Sequence, residues 1–198
     1  MKRFFRRKKK QIPIVIVSGL PRSGTSMAMK MLEAGGIPPL TDHIRTADAD
    51  NPKGYYEFER VKKLRESDFI WLPQAEGKAV KVIAALLTHL PSGYEYRVLF
   101  MHRKIGEVLA SQARMLENRG EESKVEDATM AELFEKHLQQ VRAWMNSQPN
   151  LLYLDLDYNA MLVDPGPHVR QINQFLGMHL DESKMMAVID PNLYRQRK

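Results

Sequence analysis

Cysteine is absent from this 198-residue chain, which excludes disulfides and thiolate chemistry and fits a reducing, cytoplasmic compartment. No apolar run is long enough to span a bilayer. The opening MKRFFRRKKK leads into a short strand-like segment, not into the long apolar core of a secretory leader, so no leader is expected. The six histidines have no spacing that would support a zinc site. Those first ten residues also lack any acid, yet hold seven of the thirty lysines and arginines. The rest of the chain has 23 basic against 24 acidic side chains, so the net charge of +6 belongs to the tail. Residues 1–11 are read as a flexible basic tail able to touch an anionic membrane, and 12–198 as a single near-neutral domain. No sequence-specific nucleic-acid contact is expected from such a domain.

What remains is ordinary globular material, 43% hydrophobic and 27% charged, of a length that suits one substantial core. Residues 12–17, IPIVIV, read as a central parallel strand covered on both faces. A helical pattern follows over 25–33, stopped by Gly35-Gly36. Residues 36–56 read as a long ordered loop, with a helix from about 57 to 69. Further strands are expected at 79–83, 97–101 and 151–156, and helices at 105–115, 128–145 and 169–176. The alternation predicts a three-layer α/β/α domain around a central parallel sheet.

The first strand runs into Gly19-Leu20-Pro21-Arg22-Ser23-Gly24-Thr25-Ser26. The spacing of the glycines and the hydroxyl at position 26 match a phosphate-binding loop opening a helix. Glycine lets backbone amides approach phosphate oxygens, and Arg22 adds a forked donor. Thr25, however, stands where a nucleoside triphosphatase carries its lysine. The dinucleotide fingerprint is absent as well.

A second anion site is suggested where strand 97–101 empties into His102-Arg103, with Ser111 eight residues beyond Arg103 on the next helix. PRSGTS and YRVLFMHRKIGEVLASQ together resemble the two signatures of the P-loop sulfotransferases, and LLYLDLDYNAMLVDPGPHVRQINQFLG resembles that family's late strand and helix. DPNLYRQR resembles the close of bacterial relatives. The resemblance implies a P-loop fold and 3′-phosphoadenosine 5′-phosphosulfate (PAPS) as donor, with 3′,5′-adenosine bisphosphate as product. By position, Pro21, Arg22, Ser23, Gly24, Thr25 and Ser26 would hold the 5′ end, and Arg103 and Ser111 the 3′-phosphate. The family's glycine- and lysine-bearing segment near the C-terminus has no recognisable counterpart, and Arg195 and Arg197 are its candidate substitutes.

Sulfuryl transfer to a hydroxyl or amine needs a cation at the transferring group and a base for the acceptor proton. No metal is demanded in principle. Arg22 and Lys81 are the cation candidates; for Lys81, a lysine snorkelling outward from its strand is an equal alternative. Glu57, then Asp42, then His43 and Glu59 are the base candidates, although capping a helix or pairing with Arg45, Lys53 or Arg60 is for each acid the weightier alternative. Asp155 and Asp157 read as structural, and His102 as a local donor. Tyr55, Tyr56, Phe58, Phe69 and Trp71 would wall the acceptor pocket or fill the core. A small-molecule or saccharide acceptor is expected, with a homodimer as one way to complete the pocket. The competing readings are a P-loop phosphotransferase using a nucleoside triphosphate and a non-catalytic nucleotide-binding homologue.

Overall fold

The computed structural model describes residues 12–42, 44, 56–121 and 125–189. Four parallel strands form one sheet in the order β2-β1-β3-β4. They are β1 Ile14–Gly19, β2 Ala79–Lys81, β3 Tyr96–His102 and β4 Leu151–Asp157. Since β2 and β3 flank β1 on opposite sides, the strand order reverses there, and a crevice opens beyond its carboxyl end.

β1 is buried along its whole length. Ile14 and Ile16 enter one apolar layer with Val80, Val98 and Phe100; Val15 and Val17 enter the other with Leu99 and Met101. This alternation with no polar face is why the strand reads as a continuous apolar run. Trp71, Leu87, Val141 and Met145 close the first layer, and Met29, Leu32, Met161, Val169 and Met185 the second. Each buried side chain of this size contributes about 1.5–3 kcal/mol, so the strand is a firm anchor for the loop that follows it.

The helices are α1 Thr25–Gly35, α2 Leu72–Ala75, α3 Ala84–Leu87, α4 Ile105–Asn118, α5 Asp127–Ser147, α6 Tyr158–Val163, α7 Pro165–Leu176 and α8 Glu182–Ala187. The short helices α2, α3, α6 and α8 were not expected, because four to six residues carry too few turns for a periodic signal. For α6 and α8 the visible cue is capping: Asp157 and Asp181 accept from the amides of Ala160 and Lys184. The expected helix over 57–69 is instead a 3₁₀ helix, Glu59–Glu66. Its buried residues are Val61 and Leu64, a spacing of three that a tighter turn serves well. Ser67, in the left-handed conformation, ends it. The strand expected to reach 83 stops at Lys81, and Ile83 turns the chain into α3.

The outer side of β2 is paired by the chain before it. The Ala79 amide donates to the Pro38 carbonyl at 3.0 Å, and the Leu40 amide to the Ala79 carbonyl at 2.7 Å. This parallel bridge carries Thr41 and Asp42 towards the edge at which Lys81 ends β2. Among the described residues no helix is long and apolar enough to cross a membrane.

Candidate active site

The loop after β1 is shaped by contacts that admit only glycine at two positions. Gly19 has φ 149°, and a Cβ there would lie 2.5 Å from Ser23 Oγ and 2.6 Å from the Met101 carbonyl oxygen. Gly24 has φ 94°, and its Cβ would meet the Tyr158 ring at 2.3 Å. Between them the Ser23 amide and hydroxyl both donate to the Leu20 carbonyl, at 3.2 and 2.7 Å. Arg22 sits at φ 69°, a conformation that costs a non-glycine residue about 1–2 kcal/mol. The tertiary contacts of its side chain hold it there.

Those contacts join the two anion motifs. Arg22 Nε donates to Ser111 Oγ at 3.0 Å, and Arg103 Nη1 to the Arg22 carbonyl at 3.1 Å. Arg103 Nε also donates to Glu107 Oε2 at 3.0 Å, in an ion pair whose side chains are 8% and 1% exposed. The Arg103 guanidinium lies 4.8 Å from the centre of the Tyr158 ring. One aromatic ring therefore abuts both the loop glycine and the arginine of the second motif. Burial pushes the Tyr158 phenol up, opposed by Arg103 and, more weakly, by Arg22.

α1 begins at Thr25 with no side-chain cap among the described residues and no acid in its first turn, whereas α6, α7 and α8 each have a capping aspartate. Its leading amides and positive dipole end are thus directed at the crevice. Lys81 Nζ donates to Ser26 Oγ at 3.3 Å, so this lysine turns towards the loop and not outward.

The base candidates lie on the adjoining segment. Asp42 Oδ2 accepts from the Glu59 amide at 2.6 Å, and Oδ1 from the Ile44 amide at 3.1 Å. Thr41 Oγ1 donates to the Glu57 carbonyl at 2.8 Å. Asp42 is accordingly tied into the turn, while Glu57 is held by its backbone. Glu59 pairs with Lys62 at 2.7 Å. His43, Tyr55, Arg195 and Arg197 lie outside the described residues. Trp71 is fully buried and donates to the Asp68 carbonyl, with Phe58 edge-on to it at 5.5 Å and Phe69 packed against the same cluster. Trp71 is core, and Phe58 and Phe69 are half-buried at its margin. Tyr56 donates to the Glu33 carboxylate, and burial, reinforced by that acid, pushes its phenol up.

At the far side of the edge, Asp155 pairs with His102 and with Arg142, at 2.7 Å to Arg142 Nη1, while Asp157 caps α6. Both acids hold structure. Glu107, Tyr158 and Asn159 escaped the sequence reading. Glu107 follows Arg103 at i+4 on a helix start, a signal that was available. For Tyr158 and Asn159 no local signal exists.

A glycine-shaped loop and a second arginine–serine pair, joined by the Arg22–Ser111 hydrogen bond at the carboxyl edge of a parallel sheet, define a P-loop α/β protein. The chain belongs to the sulfotransferase domain family, whose model matches residues 13–195, and its reaction class is sulfuryl transfer to an acceptor. A search of curated proteins by sequence found no match. The fold is similar to the sulfotransferase domain of the Synechococcus PCC 7002 olefin synthase: 17% identity, TM-score 0.57, 97% of this chain and 90% of that one covered. Mouse sulfotransferase SULT7A1, solved with 3′,5′-adenosine bisphosphate, is similar at 18% identity and TM-score 0.56, over 90% of this chain and 62% of that one. Sulfotransferase STF1 of Mycobacterium tuberculosis matches at 17% identity and TM-score 0.55, over 89% and 70%.

Proposed function

We propose that this chain takes PAPS as donor and passes its sulfuryl group to a hydroxyl or amine of a small-molecule or saccharide acceptor. The observation that carries the reading is the 3.0 Å bond from Arg22 to Ser111, which brings the phosphate loop and the second anion motif to one crevice. The donor supplies an activated sulfuryl group on a 5′-phosphate. The loop amides, Thr25 and Ser26 bind its charged end, and Arg103 with Ser111 bind the 3′-phosphate. Arg22 and Lys81 offset negative charge at the transferring group. Glu57 takes the acceptor proton, and Asp42, committed to two amides, keeps the Glu57 segment in place.

One observation favours a second reading. Lys81, beside Ser26, brings from β2 the charge that a triphosphate loop carries at position 25. Calorimetry of 3′,5′-adenosine bisphosphate beside ATP, with and without magnesium, separates the two. Metal-independent bisphosphate binding, weakened about thirtyfold by Arg103→Ala and by Arg22→Ala, supports the sulfuryl donor. Preference for ATP with magnesium would replace it with phosphoryl transfer.

A further inference from the structure

The pairing of Arg103 with a buried acid raises a question of charge. Glu107 is 1% exposed and stands beside the arginine assigned to a phosphate. By charge alone, a carboxylate there repels an anionic ligand and weakens its binding. It is nevertheless built in with care. Oε2 accepts from Arg103 Nε at 3.0 Å, and Asn159 Nδ2 donates to Oε1 and Oε2 at 2.9 and 3.1 Å. Asn159 Oδ1 in turn accepts from the Lys104 amide at 3.4 Å, so α6 is tied to the turn that carries Arg103.

We infer that Glu107 is a positioning residue that fixes the Arg103 fork for the 3′-phosphate, with Asn159 as its support; this rests on the donor assignment above. The guanidinium is held on its Nε side by Glu107, at Nη1 by the Arg22 carbonyl, and on its face by the Tyr158 ring. A planar group fixed from three directions loses little further freedom when it engages a phosphate. The orientation gained outweighs the repulsion of one carboxylate that is already neutralised by Arg103.

The two accounts predict opposite signs. Glu107→Gln keeps the size of the side chain and removes its charge. Charge alone predicts tighter binding of 3′,5′-adenosine bisphosphate; positioning predicts binding weaker by about tenfold. Calorimetry compares that ligand with adenosine 5′-monophosphate, which differs from it only in lacking the 3′-phosphate. The expected result is a loss confined to the bisphosphate, a smaller loss in Asn159→Ala, and partial recovery in Glu107→Asp. Unchanged or tighter bisphosphate binding in Glu107→Gln overturns the role. So does an equal loss for both ligands, which marks a general structural defect. A wild-type protein that binds both ligands equally overturns the donor assignment itself, and the role of Glu107 falls with it.

Discussion

The two sides of the crevice are held together by different kinds of contact. On the phosphate side the partners are far apart in sequence: 89 positions separate Arg22 from Ser111, 81 separate Arg103 from Arg22, and 52 separate Asn159 from Glu107. On the side that runs from Thr41 to Trp71 the contacts span less chain. Asp42 and Glu59 are 17 apart, Arg60 and Asp68 are 8, and Trp71 and Asp68 only 3. Opening the first side means separating a strand end from α4 and α6. Opening the second means unclasping those local turns and also withdrawing Val61, Leu64 and Trp71 from the first apolar layer. In the proposed reading, the donor end is therefore tied by long-range side-chain contacts and the acceptor end by short-range ones laid over the core.

The hardest test of that contrast is a methyl group. Gly19→Ala would set a Cβ against the Met101 carbonyl oxygen and Ser23 Oγ, in a backbone conformation that side chains rarely adopt. A loss of about 4 kcal/mol in chemical denaturation is expected from overpacking and strain together. Gly36→Ala shares the positive φ, at 111°, but meets nothing within 4 Å, so it should lose only about 1 kcal/mol. Equal losses would mean that the loop is not under tertiary constraint.

A second pair of variants divides turnover from stability on the side that runs from Thr41 to Trp71. Glu57→Gln should lower the rate of sulfuryl transfer about a hundredfold, with bisphosphate affinity and melting temperature near wild type. Asp42→Ala should lose about 1 kcal/mol of stability, as a lost cap does, and only secondarily turnover. Reversal of the two patterns would move the base to Asp42.

The same contrast explains what could be read from the sequence. The phosphate side was legible because its chemistry is dense and local in sequence: IPIVIV names a doubly covered strand, and two glycines with a hydroxyl at fixed spacing name the loop. The placing of Arg103 just past a strand end and of Ser111 on the next helix was legible for the same reason. Their direct link through Arg22 was not, since only the β1–β3 register, Gly19 opposite Met101, brings those ends together. Lys81 could point either way until the parallel pairing of Val17 with Lys81 put it beside the start of α1. On the acceptor side, ERVKKLRE shows a spacing of three that fits either helix type, and Phe58 and Trp71 carry no mark that distinguishes core from pocket wall.

The smallest effect concerns the clasp itself. Asp68 is held below the ordinary aspartate value of 3.8, chiefly by its hydrogen bonds from Arg60. Because the folded state favours the ionised form, this pair stabilises fully above that value and ceases to as pH falls through the lower folded one. Arg60 is 39% exposed, so the gain is a modest one. Asp68→Asn should therefore melt slightly below wild type at neutral pH, and the two curves should converge at acid pH. Comparing variant with wild type removes the parallel contribution of Asp181, which is lowered by the amide and side chain of Lys184 in both proteins. Convergence identifies the charge as the clasp. A gap that persists at acid pH would assign the effect to uncharged contacts around Asp68, whose carbonyl holds the Trp71 indole whatever its side chain, and the acceptor side would then be anchored by core packing much as the phosphate side is.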